Sequence, residues 1–226
     1  MKALFNFLLT EPLNNTLVFL YSYITLQDLG IAIILLTFII RLILFPLFYK
    51  SFRSQAILQK LQPEIEKIQQ LHKHDREKQA LAMMELYKNH KVNPLSGFLI
   101  ILIQLPVLIA LYQLFLNLPS DLNATFLNFI NLKEANLVIV FLAAALQYLQ
   151  GKLSLPQVRP EQQNQASFKM AKNMVFLGPI LTVVFLYTLP SAVGLYWLAT
   201  TVFSIFQQIY INKSLKKDYG TGATNS

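Results

Sequence analysis

The stretch that most constrains this chain is Leu29 to Tyr49, LGIAIILLTFIIRLILFPLFY, an apolar run interrupted by a single cation, Arg41. It is long enough to cross a bilayer as one helix, which takes roughly 20 predominantly apolar residues. Arg41 lies about two residues past the centre of the run, and by helical rise roughly 12 Å from Tyr49. A central arginine costs about 2.5 to 3.5 kcal/mol on the biological insertion scale, whereas each of the run's Leu, Ile and Phe residues contributes roughly 0.3 to 0.6 in favour. There are fifteen of them, so insertion remains favourable. A cation at membrane depth marks a functional site whose partner should be identifiable. None of the chain's apolar runs contains Asp, Glu or His. Arg41 therefore faces uncharged polar side chains, backbone carbonyls or water, and a water-filled cavity between helices is the geometry that tolerates it. The alternative is an arginine that snorkels to lipid phosphates.

The rest of the chain is built to match. With 54% hydrophobic and 13% charged residues and a mean hydropathy of +0.46, it reads as a polytopic membrane protein. Its 19 Lys and Arg against 11 Asp and Glu could suggest nucleic acid, but the basic residues sit in loops between apolar runs, where the membrane surface accounts for them. The absence of cysteine excludes disulfides, thiolate metal sites and a lipoprotein anchor.

At the N-terminus, Lys2 and the patch ALFNFLL end at Thr10, Glu11 and Pro12 without a small-residue cleavage site, unlike a cleaved signal peptide. Leu13, Leu17, Leu20, Tyr21 and Ile24 share one helical face, which predicts an amphipathic helix in the interface over residues 1–28. Residues 50–94 form the one sizeable polar part. There Ile57, Leu61, Ile65, Ile68 and Leu71, then Leu81, Met84 and Tyr87, repeat at helical spacing around a turn at His72 to Asp75, giving a charged helical hairpin. Pro63 kinks or restarts its first helix, and Asp75 is placed to cap its second. Four further apolar runs follow: Leu95 to Asn117, Ala135 to Gln150, Asn173 to Leu189 and Ser191 to Asn212. The second of these is short, about 24 Å if helical against a hydrocarbon core of about 30 Å, and implies local bilayer thinning. The polar tail 213–226 reads as disordered.

The expected fold is therefore all-α: five transmembrane helices over residues 29–212, including the hairpin 50–94, preceded by the interfacial helix. Of the nineteen basic residues, nine fall in the hairpin, four in the link 151–172 and three in the tail. Five spans place all three on one side, whereas four or six would divide them. The positive-inside rule then puts the C-terminus in the cytoplasm and the N-terminus outside.

Four blocks carry a family resemblance: ILLTFIIRLILFPL (Ile34 to Leu47), LQPEIEKIQ (Leu61 to Gln69), LYKNHKVNPLSGFLIILIQLPVLIALY (Leu86 to Tyr112) and GLYWLATTVFSIFQQ (Gly194 to Gln208). Together and in this order they resemble the YidC membrane insertases, the bacterial branch of the YidC, Oxa and Alb family. The resemblance implies a five-helix core in the bacterial plasma membrane, with an arginine-bearing groove open to the cytoplasm and to lipid. It also implies insertion of nascent membrane proteins, alone or with the Sec translocon and the ribosome. The family's groove arginine corresponds to Arg41, and the threonine one turn before it to Thr37. Three departures from the family pattern are expected: no large periplasmic domain or first transmembrane segment, no lipobox cysteine, and a short, mildly basic tail.

The residues support the same mechanism on their own terms. A fixed cation in a low-dielectric groove attracts an acidic or polar stretch of an incoming chain, and burial of the adjoining apolar segment in lipid drives the step without nucleotide, metal or other cofactor. Candidate lining residues are Arg41, Thr37, Gln104, Gln147, Gln150, Tyr196, Trp197 and Thr200. The glutamines could instead serve interhelical hydrogen bonds, and the aromatics could be interface anchors. A small anion-conducting pore lined by Arg41, or a transporter, is the rival reading. No enzyme constellation is visible: there is no HExxH, no paired intramembrane aspartates and no Ser-His pair at membrane depth.

Overall fold

A computed structural model describes residues 2–117, 122–155 and 166–220. It is a helical membrane fold with one small β-hairpin. The chain opens with helix α1 (Lys2–Phe5), a π-helical turn (Asn6–Thr10) and helix α2 (Glu11–Tyr23). The wide turn, closed by the Glu11 amide on the Asn6 carbonyl, sits just before Pro12, whose ring and missing N–H disrupt the ordinary ladder. Helix α2 buries Leu17, Leu20 and Tyr21, three of the five residues assigned to its apolar face. Ile24 is exposed, because the helix ends at Tyr23.

The central run is not one straight helix. Helix α3 (Leu29–Ile43) is capped by Asp28, whose carboxylate accepts from the Ile31 amide at 2.9 Å, and it stops at Leu44. Helix α4 (Phe45–Lys60) leaves at 70°. Pro46 lies in the first turn of α4, where its missing amide is harmless; inside a continuous helix its ring would clash with the carbonyl four residues back. The bend corrects the expected depth of Arg41. It lies in the last turn of α3, beside the break, not 12 Å inside a single straight span.

Helix α5 (Gln62–Leu71) restarts at Pro63, and helix α6 (Arg76–Asn89) begins at Asp75, which accepts from the Lys78 amide at 3.0 Å. The base of this hairpin packs Ile57, Leu61, Ile65 and Val92 against Ile211 and Leu215, with Met83, Leu86 and Tyr87 at the margin; Met84 is exposed.

Helix α7 (Ser96–Leu116) leads to strands β1 (Thr125–Phe126) and β2 (Ile130–Asn131), which pair antiparallel with Thr125 opposite Asn131. Helices α8 (Leu137–Leu153), α9 (Ala166–Leu186) and α10 (Ser191–Gly220) complete the chain. Helix α7 and the Ser191–Leu215 part of α10 are long and apolar enough to cross a membrane, and the bent α3–α4 pair makes a third candidate. Leu137–Leu153 and Lys172–Leu186 are shorter apolar helices. The main core joins α2, α3, α7, α8 and α10 through Leu17, Leu36, Leu111, Val140 and Val193. Helix α10 runs on past the expected start of the disordered tail: residues 213–220 are helical, because Leu215 is buried against the hairpin base. Residues 221–226 lie outside the described residues.

Candidate functional site

Arg41 is only 5% exposed. Its Nη2 donates to Gln104 Oε1 on α7 at 3.4 Å, and Gln104 Nε2 donates in turn to the Tyr196 hydroxyl on α10. The guanidinium carbon stands 4.3 Å from the centroid of the Phe48 ring. Three helices and the first turns of a fourth therefore close on one cation. Its Nη1 is buried without a hydrogen-bond partner, and no described carboxylate forms an ion pair with it. The surroundings match part of the expectation from sequence, since the partners are an uncharged amide and a phenol. They differ in another part, since the conformation encloses the cation where a water-filled cavity was expected. The bend at Leu44 is the cause. Arg41 and Phe48 are seven residues apart, roughly 10 Å along a straight helix, and only the fold-back lays the ring over the guanidinium.

The other candidates divide into those near this site and those away from it. Thr37 is buried one turn before Arg41, with its hydroxyl donated to the Ile33 carbonyl at 2.7 Å. Thr200 lies one turn beyond Tyr196 on α10, and its carbonyl accepts from Ser204 at 2.9 Å. Trp197 points elsewhere: it lines an apolar cleft of about 390 Å³, with Leu105, Ile109 and Tyr112 of α7 and Phe185 of α9. Gln147 belongs to a separate contact, accepting from Thr201 at 3.4 Å and packing over Gly178 where α8, α9 and α10 meet. Gln150 is half-buried on α8, its carbonyl receiving Ser154, and makes no described contact with Arg41.

Sequence reasoning missed Phe48, because cation–π partners carry no spacing signal across a helix break. It also missed Gln207 on α10, 3% exposed with both ends of its amide unpartnered. Its position 11 residues after Tyr196 on the same helix was the available signal, since three turns return a side chain to the same face.

A model of the 60Kd inner membrane protein family matches residues 19–218. This chain belongs to that family. Among its curated relatives, the membrane protein insertase YidC of Magnetococcus marinus is 44% identical over 214 residues, covering 93% of this chain and 36% of the relative. The protein of the same name from Geobacter sp. strain M21 is 38% identical, covering 92% of this chain and 37% of the relative. A crystal structure of an active YidC insertase with its first transmembrane domain resolved superposes with a TM-score of 0.65 at 26% identity, over 89% of this chain and 45% of that one. The chain thus spans little more than a third of the length of the curated relatives it matches. Within the 60Kd family fold, the Arg41 site is where α3, α4, α7 and α10 converge.

Proposed function

We propose that this chain is a membrane protein insertase, which receives a polar stretch of a nascent chain at Arg41 and releases the adjoining apolar segment into lipid. The observation that carries this reading is a buried guanidinium with one nitrogen unpartnered and the other held at 3.4 Å by a neutral amide. That distance lies beyond the usual hydrogen-bond range, so the contact is weak and exchangeable. An acidic or polar client group offers the cation a stronger acceptor in the same low-dielectric setting. Gln104 and Tyr196 hold the site between clients, and opening of this closed form creates the groove. Thr37 and Thr200 line it beside them. Gln147 and Gln150, on α8 and apart from the closed site, join the lining once the groove opens, and Trp197 faces the apolar cleft along which the released segment passes.

In this reading residues 29–212 form a five-span core with the hairpin 50–94, and residues 1–28 lie at the opposite interface. The basic hairpin faces the cytoplasm as first contact for the ribosome or nascent chain, with the Sec translocon as a further partner. The relatives' names as insertases and the shared fold support insertion over conduction.

Reconstitution into liposomes tests it, with Arg41→Ala and Arg41→Lys compared on clients of acidic and neutral flank. Loss of insertion that is greatest for acidic clients, with partial rescue by lysine, is the expected result. Selective anion current without client insertion would establish the pore in its place.

A further inference from the structure

Two turns at the end of the bundle remote from the α5–α6 hairpin have the same unusual construction. In Thr25–Asp28 the Asp28 amide closes on the Thr25 carbonyl at 3.0 Å, and the central residues Leu26 and Gln27 have φ of 50° and 63°. In Phe126–Phe129 the Phe129 amide closes on the Phe126 carbonyl at 3.2 Å, and the central residues Leu127 and Asn128 have φ of 52° and 62°. Turns with two left-handed central residues favour Asn, Asp or Gly first; leucine there is sterically disfavoured. Both turns keep a leucine at that position and turn it outward, Leu26 at 96% and Leu127 at 53% exposure. Beside them Phe129 is 92% and Tyr23 79% exposed.

The two turns form one unit. Asp28 caps α3 with one carboxylate oxygen and with the other accepts the Leu127 amide at 2.6 Å, while Phe126 lies directly on Gly30. Asp28 is the one charged residue between Pro12 and Ile40, and both its oxygens are engaged; from Leu122 to Leu132 there is no charge at all. The unit is thus an apolar knob whose single carboxylate is tied to two backbone amides, held by strained backbone. It stands level with the starts of other helices, because the Ser191 and Ala192 amides at the head of α10 donate to the Glu134 and Leu132 carbonyls just after β2.

Span length says what covers the knob. Before its bend α3 has 15 residues, about 22 Å of rise against about 30 Å of hydrocarbon, and α8 with 17 residues is scarcely longer. Apolar surface just beyond the start of α3 therefore falls at the depth of the acyl-chain and headgroup boundary, where aromatic side chains are favoured. We propose that the paired turns 25–28 and 126–129 are an interfacial anchor, seating the leucine and phenylalanine tips in the lipid leaflet opposite the hairpin. The ligand is the bilayer itself. This goes beyond the insertase reading and stands whether or not the chain moves clients.

The test uses the natural absence of cysteine. Leu26→Cys, Phe129→Cys and, as a reference, Glu134→Cys are labelled with an environment-sensitive nitrobenzoxadiazole dye in the full chain, reconstituted in phosphatidylcholine–phosphatidylglycerol vesicles. At Leu26 and Phe129 the emission is expected to be blue-shifted relative to Glu134, and quenched by lipids brominated high on the acyl chain more than by aqueous iodide. Water-like emission with iodide quenching equal to the reference would overturn the proposal. So would protection from both quenchers, which would place a protein surface, such as a second copy of the chain, on the knob. A Leu26→Asn, Leu127→Asn double variant suits both turns better and keeps the fold. Dye at Phe129→Cys in that background should lose blue shift; an unchanged depth would likewise refute the anchor.

Discussion

Arg41→Met separates a cation retained for function from one retained for structure. Methionine keeps much of the length and apolar stem of arginine. Removing the charge relieves an insertion cost of about 2.5 to 3.5 kcal/mol for a cation at membrane depth, less here because Arg41 sits near the end of α3. Against that stands the Gln104 contact, at 3.4 Å on the weak side of the roughly 1.5 to 3 kcal/mol of charged hydrogen bonds. The ring of Phe48 at 4.3 Å adds about 1 to 2 kcal/mol for a desolvated cation–π pair. The opposing contributions are of similar size, so the variant should unfold within about 1 kcal/mol of the parent. Its insertion of acidic-flanked clients should nevertheless collapse. The single tryptophan, Trp197, is adjacent to Tyr196 and reports unfolding by fluorescence during titration of dodecyl sulfate into maltoside micelles. A loss of more than about 3 kcal/mol, typical of breaking a buried pair, with activity falling only in proportion to folded protein, would refute the reasoning. Arg41 would then be a structural clamp.

Three further outcomes follow from the packing. Gly30→Ala places a Cβ 2.5 Å from Phe126 Cβ, which cannot yield without moving backbone, so α3 and β1 should separate at a cost of about 1 to 3 kcal/mol; Phe126→Ala in the same chain should recover part of the loss in thermal unfolding. Pro46→Ala restores the missing amide and should reduce the 70° bend, read as a longer spin-label distance between positions 35 and 58; an unchanged distance would assign the bend to tertiary packing. The Lys78 backbone amide holds the Asp75 carboxyl below its usual value, so its cap on α6 is fully present above about pH 3.9 and is lost as pH falls through the lowered folded value. Asp75→Asn should retain the cap and flatten that acid dependence of hairpin helicity, and a parallel pH profile would count against the capping account.

How much of this was legible beforehand differs between fold and site. The apolar runs, the hairpin with its Asp75 cap and the restart at Pro63 are local facts: hydrophobic length, helical period and a missing amide act within a few residues. The lone cation was equally plain in a run of Leu, Ile and Phe, but its burial among helices, as against snorkelling to lipid phosphate, was not. Gln104 and Tyr196 were among the candidates, but nothing in their own runs distinguished them from Gln147, Gln150 and Trp197. Gln147 is turned toward Thr201 and Gly178, Gln150 is half-buried further along α8, and Trp197 faces the apolar cleft.

The sequence alone determined a helical membrane chain with a lone arginine inside an apolar run, because burial of apolar length and the cost of charge are summed residue by residue. Only the tertiary structure decided that α3 breaks at Leu44, that Phe48 folds back over the guanidinium, and that helices far apart in the chain supply its amide and phenol. Those choices depend on crossing angles and helix rotation. They are set by which side chains of different helices interlock, and no single segment carries that information.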